Sequence, residues 1–196
     1  MSRPLAVAIT GGIGAGKSEA LAAFARHGAA TVSSDEIVHR LLREDEEVRE
    51  ALLERFGDTI LDGADEIDRS AIAEIVFADR EALAWLEALL HPRVAAQQAA
   101  WRDELQRLPD PPAVCVAEIP LLYETGGQDR FDAVVVVTAS PEVRAARAHV
   151  APERESRLLP DEEKAKRADY VYVNDGSFEE LDAFVAGVMR ELLARA

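Results

Sequence analysis

A glycine-rich segment near the N-terminus carries the clearest chemical signal in this chain. Residues 11–18 are Gly-Gly-Ile-Gly-Ala-Gly-Lys-Ser and match the complete phosphate-binding pattern G-x-x-x-x-G-K-[ST]. The apolar run at residues 5–9 predicts a buried strand before the loop, and an Ala-rich helical pattern follows from Glu19 to His27. Because the motif needs this order of strand, loop and helix, a phosphate site is favoured over a glycine-rich turn with a chance Lys-Ser.

The chemistry expected of this loop is the binding of a nucleoside triphosphate. Glycines let backbone N–H groups approach a polyphosphate closely, and the positive end of the following helix faces the same anion. We expect Lys17 to reach the β- and γ-phosphates and the Ser18 hydroxyl to bind Mg²⁺. The predicted nucleotide contacts are Gly12, Ile13, Gly14, Ala15, Gly16, Lys17, Ser18 and Glu19.

Two acidic residues follow predicted strands and are candidates for the remaining chemistry. Asp35 follows the strand predicted at residues 29–32, which we expect beside the first strand, and Glu118 lies near the end of the strand predicted at residues 113–119. Loops at the carboxyl ends of parallel strands line the ligand crevice. Asp35 can there accept the proton of a substrate hydroxyl, although an aspartate also suits a helix N-cap. Glu118 can hold Mg²⁺ directly or through water, or make a structural contact at the sheet edge.

Composition limits the class of protein and its partners. The chain has 196 residues, of which 48% are hydrophobic and 30% charged, as expected for one globular α/β domain. The net charge of −15 argues against nucleic acid as the main partner. The single Cys115 lies in an apolar run and is predicted to be a core residue. The chain has neither a membrane-spanning run nor a secretion signal at its start, which together predict a cytoplasmic protein without a membrane partner.

Basic residues concentrate in one region of this acidic chain. They can supply a local site for a small anion, or they can be a solvated helix with i,i+4 pairs such as Glu162–Lys166 and Glu163–Arg167. We expect the lysines to be mostly solvated and some of the arginines to face phosphate. The cluster consists of Arg144, Arg147, Arg154, Arg157, Lys164, Lys166 and Arg167.

Strands alternate with helices along most of the chain, which predicts a parallel sheet with helices on both faces. The run at residues 133–138 is apolar throughout and predicts a central strand, Pro141 opens a helix, and residues 169–174 and 178–194 predict a last strand and helix. Residues 36–107 are helical almost throughout, with a bend or restart at His91-Pro92. This stretch is too long for one crossover and predicts an inserted helical subdomain.

Several further segments resemble the dephospho-coenzyme A kinase family over nearly the whole chain. The segments after the loop are more specific than the loop itself, which other small-molecule kinases share. The resemblance implies a P-loop kinase fold, a five-stranded parallel sheet with a helical coenzyme A subdomain at about 36–107 and a short lid at about 148–160. The matching segments are residues 10–18, 34–37, 56–57, 86–92, 119–124, 168–171 and 174–176.

The family's known roles transfer to matching positions of this chain. Asp35 matches the catalytic base, which activates the 3′-hydroxyl of the dephospho-CoA ribose, while Lys17 and the loop amides hold ATP. Arg147 matches an arginine at the base of the lid and Arg154 one inside it, and both neutralise charge on the transferring phosphoryl group. The remaining implied contacts are Asn174 and Gly176 near adenine, and His91, Pro92, Leu121, Leu122, Tyr123 and Glu124 on the substrate side.

Alternatives stay open for two of these residues and for the function itself. His91 suits a buried structural histidine equally well, and Tyr123 can pack on the subdomain instead of stacking on a ligand. Ser33 stands where the family has an acid, Glu118 where it has Asp, and the lid is shortened, with Leu158 at its glutamine position. The alternatives are therefore a kinase for another small hydroxyl compound, or a P-loop protein that binds nucleotide or coenzyme A without catalysis. The residues carry no signal for an oligomeric state.

Overall fold

The fold is built on a parallel sheet, seen in a computed structural model that describes residues 3–147 and 158–195. Within these ranges the sheet has five strands in the order β2-β3-β1-β4-β5, each parallel to its neighbours. The predicted sheet with flanking helices is confirmed. The strands are β1 (Leu5–Thr10), β2 (Ala30–Ser33), β3 (Val114–Glu118), β4 (Ala133–Thr138) and β5 (Tyr170–Val173).

Two expectations about strand order are wrong. The middle strand is β1, and the apolar β4 lies one place outward, between β1 and β5. An apolar run indicates that a strand is buried on both faces of the sheet. The middle strand and its neighbours are all buried in this way, so the pattern does not distinguish them. The strand before Asp35 does not lie beside β1, because β3 inserts between β1 and β2, with Glu118 paired to both Ile9 and Ser33. No local residue pattern encodes such a crossover.

The helices follow the predicted positions to within a few residues. Helix α6 begins at Pro141, whose fixed φ suits the first helical position. Two short 3₁₀ turns occur at Gly57–Ile60 and Gln128–Arg130. In the described part of the chain the α-helices are α1 (Lys17–Arg26), α2 (Ser34–Glu44), α3 (Glu46–Phe56), α4 (Arg69–Ala78), α5 (Arg80–Gln106), α6 (Pro141–Arg147), α7 (Asp161–Ala165) and α8 (Phe178–Leu193).

Alternate residues of the neighbouring strands β1 and β4 are buried on opposite faces of the sheet. On one face, Val7 and Ile9 belong to a cluster with Phe24 of α1 and Val185 of α8. On the other face, Ala8 and Val136 pack with the segment after β3, including Ile119 and Leu122. Cys115 is buried, and burial raises the pKa of its thiol to about 11, which confirms it as a core residue.

Packing divides the chain into two compact units. The sheet unit comprises Met1–Ser34 and Trp101–Ala196, and the helical unit comprises Asp35–Ala100. In the helical unit, Asp45 and Asp68 cap α3 and α4 with their carboxylates, and Phe56 meets Trp85 edge to face at 5.4 Å. Helix α5 does not restart at Pro92 but continues through it. None of the described helices is long and apolar enough to cross a membrane.

Candidate active site

The glycine-rich loop joins β1 to α1, and its backbone leads into the N-terminal end of the helix. Gly16 is the N-cap of α1 in a left-handed conformation with φ +94°, and it has no side chain to cap the first amide groups. A Cβ on Gly16 would lie 2.2 Å from Nδ2 of Asn174, so only glycine fits here. The exposed amide groups and the helix dipole together form a site for an anion.

Asn174 and Arg147 lie beside this loop. Asn174 is buried at the end of β5, and its Nδ2 donates to the carbonyl of Ala15 at 2.9 Å. Arg147 is exposed at the end of α6, with Nη1 3.6 Å from where a Cβ on Gly16 would lie. Both predicted residues therefore lie at the loop. Gly176 is exposed, two residues beyond Asn174, before the capping box of α8.

The lysine and serine of the motif already have partners within the chain. Lys17 Nζ donates to the carbonyl of Gly12 at 2.9 Å, which keeps the ammonium group over the loop. Ser18 Oγ donates to Oε1 of Glu118 at 3.3 Å, and this glutamate is only 4% exposed. The predicted magnesium ligands Ser18 and Glu118 are thus brought together. Glu19 instead pairs with Arg26 on the outside of α1 at 3.2 Å.

Hard oxygen ligands at this position fit a Mg²⁺ ion. A serine hydroxyl and a carboxylate are the donor types that Mg²⁺ takes when nucleotide phosphates and water complete its shell. Among the described residues, no group of three or more His, Cys, Asp or Glu side chains could hold a metal ion. A magnesium–nucleotide site needs no such group, because the ligand brings most of the oxygens.

Two residues that sequence reasoning missed lie against the same loop. Arg144 Nε donates to the carbonyl of Ile13 at 3.0 Å, and its Nη1 lies 3.6 Å from Oδ2 of Asp161. That carboxylate also accepts a hydrogen bond from Thr138 Oγ1 at 2.9 Å. Arg144 belongs to the basic cluster, but nothing in the spacing distinguishes it as a loop contact. Asp161 carries no sequence signal, since its role depends on where α7 packs.

Residues 121–123, which follow β3, are more deeply buried than residues that contact a ligand. Leu121 is half-buried, whereas Leu122 and Tyr123 are buried in the core cluster below the sheet. The Tyr123 ring also has the Arg167 guanidinium 5.8 Å from its centroid, and burial raises the pKa of its hydroxyl. Both side chains therefore contribute packing.

Glu124 forms an internal ion pair with Lys164, which bears on the expectation that the lysines are mostly solvated. Its Oε1 lies 2.9 Å from Nζ of Lys164 and also accepts the Leu159 N–H at 2.9 Å. The Lys164 side chain is fully buried, so the expectation of solvated lysines is wrong for this residue. Lys166 is exposed but pairs with Glu163 at i,i+3, not with the predicted Glu162. Charge spacing alone could not reveal which helix face is buried.

The helical unit contains the remaining predicted residues. Asp35 is exposed in the first turn of α2, which begins at Ser34, so the N-cap interpretation of Asp35 is wrong. Ser34 Oγ donates to the Glu118 carbonyl at 2.6 Å within the sheet unit. His91 and Pro92 are exposed on α5, so the interpretation of a buried structural histidine is also wrong. Arg154 and residues 148–157 of the predicted lid lie outside the described residues.

Comparison with known proteins decides the family. The sequence model of the family described as "Dephospho-CoA kinase" matches residues 5–180. The chain belongs to the dephospho-CoA kinase family. A dephospho-CoA kinase of Protochlamydia amoebophila is 37% identical, with 95% of each chain covered.

Solved structures agree with the family assignment. The crystal structure of TT1252 from Thermus thermophilus superposes with a TM-score of 0.76 at 35% identity, covering 97% of this chain and 99% of the other. A dephospho-CoA kinase from Campylobacter jejuni gives 0.71 at 27% identity, covering 96% and 97%. The resemblance inferred from the sequence segments is confirmed, and with it the kinase class of this chain. The alternatives of another small-molecule kinase and of a non-catalytic binding protein are not favoured.

Proposed function

We propose that this chain transfers the γ-phosphoryl group of ATP to the 3′-hydroxyl of the dephospho-CoA ribose, which gives coenzyme A in the last step of its synthesis. The observation that carries the proposal is the family match, which runs from β1 through the phosphate loop and the helical unit. The chemistry common to such transfers is positioning and charge neutralisation. The cytoplasmic location stays a prediction.

Charge neutralisation falls to the loop and its neighbours. The backbone amides of residues 11–16 and the first turn of α1 bind the phosphates, and Lys17 moves its ammonium group from the Gly12 carbonyl to the β- and γ-oxygens. Arg147, exposed beside Gly16, adds a second cation for the transferring group. Ser18 and Glu118 would hold Mg²⁺, which when bound neutralises developing phosphate charge.

Proton removal falls to the helical unit. Asp35 is exposed at the start of α2, and its carboxylate accepts the proton of the attacking 3′-hydroxyl. His91 and Pro92 are exposed and Leu121 is half-buried, so these three side chains are accessible as substrate contacts. Leu122, Tyr123 and Glu124 support the substrate side indirectly, because their side chains are engaged in packing and in the pair with Lys164.

The decisive experiment couples product analysis to one substitution. Purified chain with Mg-ATP and dephospho-CoA should release ADP and form coenzyme A, identified by its mass. Asp35→Asn should lower kcat by about 10²–10⁴-fold with ATP affinity unchanged, because a general base contributes that much. Glu36→Gln, an exposed acid in the same helical turn, is the matched control and should keep wild-type turnover.

Each failure has a separate meaning. Wild-type turnover in Asp35→Asn would remove the base assignment and leave the reaction intact. ADP release with other acceptors but not with dephospho-CoA would indicate a different small-molecule kinase. Tight binding of ATP without ADP release on any acceptor would indicate a nucleotide-binding protein.

A further inference from the structure

The helical unit contains a second basic site, separate from the phosphate loop. A cleft of about 320 Å³ opens between α2 and the loop that precedes α4. Three of its lining side chains are basic and one is acidic, in a chain whose net charge is −15. The lining residues are His39, Leu42, Arg43, Glu66, Ile67 and Arg69.

Two aspartates in the loop beside this cleft, Asp62 and Asp68, accept hydrogen bonds from backbone amide groups. Asp62 Oδ1 accepts the N–H groups of Ala64 and Glu66 at 2.8 and 3.0 Å, which closes the loop on itself. Asp68 Oδ1 caps α4 by accepting the Ser70 N–H at 2.8 Å. These carboxylates therefore stabilise local structure instead of neutralising the basic side chains.

The basic side chains of the cleft lack matching acids. Over residues 3–147 and 158–195, no carboxylate forms an ion pair with His39 or Arg69. Within the same described residues, the one acid that Arg43 pairs with is its exposed neighbour Glu44, at 2.8 Å. Two other arginines of the same unit do pair with acids, Arg55 with Glu81 and Arg93 with Glu47. The chain is acidic overall, yet its own carboxylates do not neutralise these basic side chains. They are therefore able to bind an external anion.

Helix α2 connects this cleft to the proposed base. Asp35, His39 and Arg43 are spaced by four residues, so their side chains lie along one face of the helix. At a rise of 1.5 Å per residue, His39 and Arg43 are about 6 and about 12 Å along the axis from Asp35. In dephospho-CoA the 3′-hydroxyl and the 5′-diphosphate belong to the same ribose. A hydroxyl at Asp35 therefore leaves the anionic group of the same ribose within reach of basic side chains one to two turns further along α2.

We propose that His39, Arg43 and Arg69 bind the diphosphate of dephospho-CoA and so orient its 3′-hydroxyl toward Asp35. The inference rests on the proposed function and deepens it. Arginine offers paired N–H groups that match phosphate oxygens, and His39 can donate an N–H in either protonation state. Leu42 and Ile67 give the cleft an apolar wall beside the diphosphate.

The test separates substrate binding from folding and from ATP binding. Arg69→Ala should raise the KM for dephospho-CoA by about 10–100-fold, the value of a hydrogen bond to a charged group. The KM for ATP and the thermal unfolding temperature should stay at wild-type values. Arg80→Ala is the matched control, because Arg80 is likewise an exposed first residue of a helix, after an aspartate, but lies outside the cleft.

A substitution of opposite sign sharpens the test. Glu66→Gln neutralises the acid that lines the cleft and should lower the KM for dephospho-CoA by about threefold, the size of an exposed charge interaction. A purely structural role for the cleft predicts no such gain. Equal KM values in Arg69→Ala and Arg80→Ala, or a parallel rise in the KM for ATP, would overturn the proposal.

A binding measurement keeps this assignment independent of turnover. If the wild-type chain forms no coenzyme A, the proposed function fails, but titration calorimetry with dephospho-CoA still compares the wild type with Arg69→Ala. Weaker binding in Arg69→Ala alone supports the subsite. Equal affinities refute it.

Discussion

The sheet unit and the helical unit hold their functional charges in different ways. In the sheet unit, Lys17, Ser18 and Arg144 each bond to a protein group before any ligand is present. In the described part of the helical unit, His39 and Arg69 line the cleft with no carboxylate partner. The groups at the phosphate loop are therefore held in place by the protein itself, whereas the basic groups of the cleft are not. Our proposal assigns the missing counter-charge to the diphosphate of the substrate.

The difference follows from the surroundings of the two sites. The loop is anchored by buried parallel strands, where an unpaired polar group is costly, so Lys17, Ser18 and Arg144 bond to protein groups there. The charged side chains that line the cleft are exposed, and water satisfies an exposed charge at little cost. We therefore expect that removing the partner of a charged group in the sheet unit destabilises that unit in the absence of ligand. A variant in the cleft should leave the helical unit folded.

The largest effect on stability is expected at the buried pair of Glu124 and Lys164. Lys164→Met removes the only fully buried ammonium group among the described residues and leaves Glu124 without its counter-ion. Such a break costs about 3–5 kcal/mol, measured as the free energy of unfolding in urea. The double variant Lys164→Met with Glu124→Leu should recover most of this loss, because no buried charge stays unpaired. A loss below about 1 kcal/mol in the single variant would contradict the comparison.

The next effect concerns the close approach of Asn174 to the loop. Gly16 and Gly28 have similar left-handed backbones, with φ +94° and +89°, but a Cβ on Gly28 would meet nothing within 4 Å. Gly28→Ala should therefore cost only the backbone term, about 1 kcal/mol, whereas Gly16→Ala adds the clash with Asn174 and should cost about 2–3 kcal/mol. Gly16→Ala should also lose ATP affinity. Equal unfolding temperatures for both variants would show that the Asn174 side chain moves away from the added Cβ at no cost in stability.

The smallest effect is expected at an ion pair on the surface of the sheet unit. Asp132 accepts hydrogen bonds from Nη1 and Nη2 of Arg3, each at 2.7 Å, and from the Ala6 N–H at 2.8 Å. The hydrogen bonds from Arg3 lower the pKa of this carboxyl below its ordinary value of 3.8. The stabilisation is therefore complete above about pH 4 and is lost as the pH falls through the lowered pKa.

Substitution of Asp132 measures this pH dependence. Because Arg3 is 59% exposed, Asp132→Asn should cost no more than about 1 kcal/mol at pH 7. The difference from wild type should shrink as urea unfolding is repeated at falling pH below 4. Asp129→Asn, an exposed acid nearby, should show no such trend. A difference that grew on acidification would contradict a lowered pKa at Asp132.

Local patterns predicted most of the elements and the nucleotide side of the site. The apolar strands, Pro141 at the start of α6 and the loop from Gly11 to Ser18 depend on neighbours in sequence, so each is visible without a fold. The order of the strands is not visible in local patterns, because β3 lies between β1 and β2 although a long helical segment separates it from both along the chain. The burial of Lys164 and the loop contacts of Arg144 and Asp161 likewise depend on how α6 and α7 pack.

The sequence by itself determined that this chain is a P-loop kinase of the dephospho-CoA kinase family, since its segments match that family over residues 5–180. Only the tertiary structure decided which charges are paired and which are left for a ligand. The pairs of Ser18 with Glu118 and of Glu124 with Lys164 join residues that are far apart in the chain. Partners at such separations are chosen by packing, which no local pattern records.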